Sequence, residues 1–243
     1  MELREQLRDT GVQHGAGLVG FADISASADN LVKAGYPLAG EYRSAVSVGV
    51  RLIDSVVYGL IEGSQRATAR VLYRKFCYDL VNDKLNRIAF ELSRALERAG
   101  FRAMPIPASA DGTHMDGLTG LFSHKAAARL AGLGWIGKSC LLITPEFGPR
   151  VRWATVLTDA KLTAERGVLE DGCGTCRVCV DNCPPQAFTG AGFDENDDRS
   201  VRMDAFRCDE HQRKMQAELG IRVCGLCVAL CPHGRKCNRD TSG

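Results

Sequence analysis

Eight cysteines in the last third of the chain are the residues best placed to do chemistry. The run Cys173-Gly-Thr-Cys176-Arg-Val-Cys179-Val-Asp-Asn-Cys183-Pro184 has the spacing C-x2-C-x2-C-x3-C-P. In that pattern three thiolates embrace one [4Fe-4S] cube and the fourth reaches across to another. Two-residue gaps let successive thiolates point at one cube from a tight loop, and Pro184 turns the chain away after the remote ligand. The second cube needs ligands of its own, and Cys224-Gly-Leu-Cys227-Val-Ala-Leu-Cys231-Pro232, with Cys208 upstream, supplies them. The spacing assigns Cys173, Cys176, Cys179 and Cys231 to cluster A, and Cys183, Cys208, Cys224 and Cys227 to cluster B. Structural zinc also takes four cysteines in C-x2-C pairs and is the alternative, although it does not call for the longer run. Cys77, Cys140 and Cys237 are left over and read as free thiols.

Such a pair of motifs predicts a module like that of the bacterial two-cluster ferredoxins, and with it low-potential electron transfer. The remaining composition agrees with a reducing compartment. The N-terminus, Met1-Glu-Leu-Arg-Glu-Gln-Leu-Arg-Asp, mixes both charges and lacks the apolar run of a secretory signal, so a cytoplasmic location is expected. In that setting many cysteines mean metal ligation and not a disulfide scaffold. The 243 residues are 45% hydrophobic, 25% charged and 7% aromatic, and no stretch is apolar for the roughly 18 residues that a membrane helix needs. No membrane insertion is expected. A net charge of +2 gives no general attraction to nucleic acid or anionic lipid.

The elements that must position these thiols form an α/β rhythm over residues 1–162. A helix over Glu2–His14 precedes apolar strands at Gly17–Asp23 and Ala45–Arg51. The longest helix spans Ala67–Arg98, with Val81, Leu85, Ile88, Leu92 and Leu96 recurring at three- and four-residue steps and Gly100 stopping it. Then come a strand at Phe101–Pro107, a Gly/Ser/Asp-rich loop to about Leu121, a helix at His124–Leu130, and strands at Cys140–Thr144 and Val151–Leu157. A linker over Leu162–Glu170 leads to the cluster module, residues 163–243.

Between Phe122 and Asp159 the sequence Phe-Ser-His-Lys-Ala-Ala-Ala-Arg-Leu-Ala-Gly-Leu-Gly-Trp-Ile-Gly-Lys, then Cys140-Leu-Leu-Ile-Thr and Val156-Leu-Thr-Asp159, resembles the epoxyqueuosine reductase family, as does the spacing to the clusters. The resemblance implies a nitroreductase-like α/β domain, similar to that of cobalamin-processing proteins and reductive dehalogenases, holding a corrinoid above a two-cluster ferredoxin module. It implies an oxidoreductase that takes electrons from a ferredoxin- or flavodoxin-type donor. Electrons would pass through both clusters to cobalamin, for the reduction of a small-molecule or corrinoid substrate. A flavin in place of cobalamin is one alternative. A two-cluster carrier or activator serving a partner protein is another. The chain ends soon after the second motif, without the helical repeats with which full-length family members engage tRNA, so a nucleic-acid partner is not expected.

The family's proton-donating Asp precedes the Ala-Gly-Leu-Gly-Trp motif by somewhat more than a helix length. The nearest candidate here is Asp116, about two positions early, with Asp111 in reserve. Both stand in the titratable loop Asp111-Gly-Thr-His-Met-Asp116, which suits general-acid chemistry but reads equally as a surface turn. His124 is a further candidate for proton donation or cofactor contact, or else a cap or core group. Gly132-Leu-Gly134-Trp135-Ile-Gly137 spells G-x-G-x-x-G, yet it closes a helix and opens a strand, the reverse of a dinucleotide site. Its glycines would let backbone amides approach a corrinoid, with Trp135 in the cradle and Lys138 as partner to an amide or phosphate of the tail. The plainer reading is a tight helix-to-strand turn.

Overall fold

The computed structural model describes residues 2–61, 66–109 and 118–235. Asp111, Asp116 and Cys237 lie outside the described residues. In chain order the elements are α1 (Leu3–Gln13), β1 (Leu18–Asp23), α2 (Ala28–Lys33), β2 (Ser44–Arg51), α3 (Asp54–Gly59), α4 (Arg66–Leu72), α5 (Leu80–Arg98), β3 (Ala103–Ile106), α6 (His124–Leu130), β4 (Trp135–Ile136), β5 (Leu142–Ile143), β6 (Val151–Thr158), α7 (Val178–Asp181), α8 (Ala205–Leu219) and α9 (Leu226–Ala229).

The helix–strand alternation suggested α/β, but the main sheet, ordered β1-β2-β6-β3, is antiparallel at every pairing. The domain is therefore α+β. The correction has a physical origin: β2 and β6 are apolar on both faces, which reads as a buried parallel strand, whereas here helices cover both faces of an antiparallel sheet. Val46 pairs with Val156 and Val48 with Ala154 along the centre. The strand expected at Cys140–Thr144 shortens to β5, which pairs with β4 as a separate hairpin, Trp135 opposite Ile143.

One face of the sheet is covered by α1 and α5. Leu85, Ile88, Leu92 and Leu96 of α5 are fully buried, in one cluster with Leu7 and with Val46, Val48, Ala154 and Val156 of the sheet. Each such side chain contributes about 1.5–3 kcal/mol by burial. The predicted long helix is interrupted by a π-helical stretch, Tyr73–Asp79, which turns Tyr73 and Cys77 into the core. The other face is covered by α2 and α6, with Leu31, Ala127 and Ala131 against Ala22, Ala45 and Leu157. Gly20 permits this close approach, since a β-carbon there would come within 2.9 Å of Leu133 and 3.0 Å of Ala131.

Composition changes near residue 162, but burial does not stop there. Val223, Val228 and Ala229, around α9, belong to the same buried cluster as Leu60, Tyr73 and Cys77. Among the described residues no helix is long and apolar enough to cross a membrane.

Candidate functional site

The eight motif cysteines lie near one another. Cys179 interacts electrostatically with Cys231, Cys173 and Cys176, while Cys208 and Cys224 do so with Cys183, and Cys227 with Cys224, Cys208, Cys183 and, least, Cys179. Apart from that last pair the interactions run within the two groups, quartets A and B, that the spacing suggests. All eight are free thiols. Local backbone geometry presents them. Cys176 N–H donates to the Cys173 carbonyl at 2.9 Å, Gly174 (φ 48°) and Gly225 (φ 74°) take left-handed turns inside the two C-x2-C loops, and Asp204 caps the α8 helix that carries Cys208. Burial pushes the Cys179 thiol up to about 11 and Cys227 higher still. A bound metal cation would offset that burial and hold the thiolate form. Two sulfurs already accept N–H groups, Cys183 from Ala187 at 3.4 Å and Cys208 from the Gln212 amide at 3.5 Å.

The first domain grips both ends of quartet A. The Lys138 ammonium donates to the Gly174 carbonyl at 2.6 Å and to that of Cys176 at 3.2 Å, so it fastens the thiol loop. A β-carbon at Gly137 would come within 3.0 Å of the Cys173 sulfur, and one at Gly134 within 2.2 Å of the Ile143 carbonyl oxygen. Gly132 (φ 71°) lies against Arg166 and Gly167. The glycine motif therefore closes α6, opens β4 and presses Trp135, Gly137 and Lys138 onto the cluster A loop. The remote ligand Cys231 is fixed by Arg150, which no local sequence pattern singles out. Arg150 is 1% exposed and donates to the carbonyls of His233 at 2.5 Å and Cys231 at 3.4 Å. Its guanidinium also lies over the Tyr58 ring and 3.9 Å from the Asp54 carboxylate.

Beside the sheet is a chamber of about 890 Å³, walled by α2 and α6 of the first domain and by residues 193–206 of the module. It reaches Ile136 and Cys140 beside quartet A's loop and Phe206, two residues before Cys208. Tyr36 lines it, whereas Tyr42, Tyr58 and Tyr73 stand elsewhere. Lys125 lines it too, its ammonium on the Cys140 carbonyl at 2.7 Å and its pKa lowered by burial. The described residues on either side of 110–117 are held by side chains. On the entering side His124 bonds the Pro107 carbonyl at 3.0 Å, Asn86 accepts from Ala108 N–H at 2.9 Å, and Tyr78 meets Ser109 at 3.3 Å. On the leaving side Arg199 donates to the Leu118 carbonyl at 3.0 Å, and Thr119 lines the chamber. His124 also meets the Thr155 hydroxyl at 2.9 Å, so both ring nitrogens are engaged. Desolvation lowers its pKa to about 4, which keeps the ring neutral at pH 7.

A family model for a 4Fe-4S double cluster binding domain matches residues 172–234. This decides for iron-sulfur over zinc. An epoxyqueuosine reductase of Pseudomonas aeruginosa is 25% identical over 270 residues, covering 96% of this chain and 69% of that protein. One of Bacillus anthracis is 32% identical over 124 residues, 48% of this chain. The chain is a relative of the epoxyqueuosine reductases. The match to the Bacillus anthracis relative spans only 31% of that protein's length. The fold of this chain is shared with an epoxyqueuosine reductase solved with an epoxyqueuosine-modified tRNA-Tyr stem loop (TM-score 0.58, 21% identity, 96% of this chain and 65% of that one). It is also shared with a reductive dehalogenase described for B12-dependent dehalogenation (TM-score 0.63, 19% identity, 96% of this chain and 32% of that one).

Two outcomes follow. Arg150→Met should unfasten Cys231, so that reconstituted iron falls from about eight to about four per chain while cluster B persists; unchanged iron on elemental analysis would show that Arg150 does not hold the ligand. His124 accepts a proton in the unfolded chain near 6.5 but in the folded chain only near 4. Its contribution to stability is thus complete above about pH 6.5 and declines as pH falls toward 4. Urea unfolding at pH values from about 7 to about 5 should show the stability gap between the wild type and His124→Asn narrowing; a constant gap contradicts the assignment.

Proposed function

We propose that this chain is an iron-sulfur oxidoreductase in which two [4Fe-4S] clusters deliver electrons to a corrinoid seated in the chamber, for reduction of a bound substrate. The observation that carries the reading is the pair of thiol groups whose module shares the core of the sheet domain and whose residues 193–206 wall the chamber together with α2 and α6. The chamber, at about 890 Å³, is the space among the described residues assigned to the corrinoid ring. A corrinoid does not fit the seam beside cluster B, where Gly225 already lies within contact of Leu60 and Tyr73, and Tyr73 is 4% exposed. When bound, the clusters supply one-electron steps at low potential, and a reduced corrinoid supplies a strong nucleophile or reductant.

The chain's own residues do the rest. The eight thiolates hold the cubes, and Lys138 and Arg150 keep the two parts of quartet A together. Neutral His124 steadies the strand end from which the Asp111–Asp116 loop departs, leaving Asp116, with Asp111 in reserve, to bring the proton to the substrate. Residues 193–206 shield the chamber, with Phe193 under the guanidinium groups of Arg129 and Arg202. The weak net charge argued against nucleic acid. The chamber lining does not reverse this, since Lys33, Lys125, Arg129, Arg199 and Arg202 are matched there by Asp194, Glu195, Asp197, Asp198 and Asp204. An RNA substrate stands beside a small molecule only because a solved structure of similar fold holds a tRNA stem loop.

Anaerobically reconstituted protein should bind cobalamin with a change in its visible spectrum. Ala126→Trp, which projects an indole into the chamber from α6, should weaken that binding with iron content unchanged. Asp116→Asn should keep both iron and corrinoid but slow substrate reduction about 100-fold or more. Binding unweakened by Ala126→Trp places the corrinoid elsewhere, and iron-loaded protein that binds none favours a two-cluster carrier.

A further inference from the structure

Trp135 begins β4, and its ring lies in an apolar nest with Ile143, Leu141, Cys173 and Cys231, two of which are thiols of quartet A. The side chain is 8% exposed, and its indole N–H is buried without a partner at ordinary hydrogen-bond geometry. A donor left so is costly, by about 1–3 kcal/mol, and native proteins retain few of them. The polar group this N–H acts on is the Cys173 thiol. The ring packs on the cluster loop, where a β-carbon on Gly172, the residue before Cys173, would come within 2.7 Å of Cζ2 and 3.1 Å of Cε2. On another side His233 meets the ring edge-on, with centroids 5.1 Å apart at 86°. The ring is thus held by the residues that flank two ligands of one cluster, with its donor unspent.

We propose that the indole N–H of Trp135 donates to the Cys173 sulfur of bound cluster A and raises the reduction potential of that cluster alone. Reduction adds one electron to the cube and no proton, so negative charge grows on its sulfurs. A donor aimed at one of them stabilises the reduced form more than the oxidised form. The same logic gives cluster B its own donor, the Gln212 amide on Cys208. Each cluster then carries one side-chain N–H from a different part of the molecule, and the two potentials are set independently. The inference rests on the two-cluster reading above.

The test is a potentiometric titration of the reconstituted holoprotein, followed by electron paramagnetic resonance. The wild type should show two couples. Trp135→Phe should lower one of them, with about a tenfold change in the reduction equilibrium or about 59 mV for a one-electron couple, and leave the other in place. Gln212→Leu should lower the other couple. If Trp135→Phe fails to retain iron, benzothienylalanine at position 135 keeps the ring's shape without the N–H and should give the same shift. The proposal is overturned if the N–H-free ring moves neither couple, or moves the one that Gln212→Leu moves. Fewer than two couples in the wild type would instead overturn the two-cluster reading beneath it.

Discussion

The stretch from residue 172 to 234 is too short to bury a core that could hold it folded. Small folds of this size rely on metal or on a neighbour, and this one uses both. Four thiols from scattered loops must converge on each cube, and the exchange of Cys183 and Cys231 between quartets ties the first motif to the last. The neighbour is the antiparallel sheet domain, whose core admits Val223, Val228 and Ala229. Everything else follows from these two attachments: where the chamber lies, which glycines must lack a side chain, and why an arginine is buried at the joint.

Buried polar groups mark that joint. Arg150 would be expensive in an apolar interior, yet its guanidinium is met by two carbonyls, a carboxylate and a tyrosine face. Lys138 is spent in the same way on the thiol loop, and His124 is held neutral between Thr155 and the Pro107 carbonyl. Backbone meets backbone where Gly148 and Gly234 touch; a β-carbon at Gly148 would come within 2.0 Å of the His233 carbonyl oxygen. These contacts hold the cysteine module against the sheet domain.

Much of this was legible in the sequence because its signals are local. Cysteine spacing alone produced the quartets, and three- and four-residue apolar steps produced α5. The glycine turn that follows α6 closed it at His124–Leu130, while its Ser123 cap came to light only in the structure. What the sequence hid depends on distant pairing. The antiparallel order of the sheet joins strands about a hundred residues apart, and doubly buried strands do not announce their direction. The π-helical stretch was invisible because the apolar spacing continues through it. Helix α8 was missed because its faces are nearly all polar, leaving only the Asp204 cap and Gly220 (φ 71°) to mark its ends. Trp135 was read as part of a cofactor cradle, and its unspent N–H beside a thiol ligand could not be seen in a linear motif.

The central claim is that one chain of 243 residues holds two cubes on eight interlocked cysteines. Native mass spectrometry of anaerobically prepared holoprotein tests it most directly. The account predicts a single species heavier than the bare chain by two [4Fe-4S] clusters, with Cys208→Ala and Cys231→Ala each costing one. A species carrying a single cluster, or zinc ions in place of iron and sulfide, would contradict it.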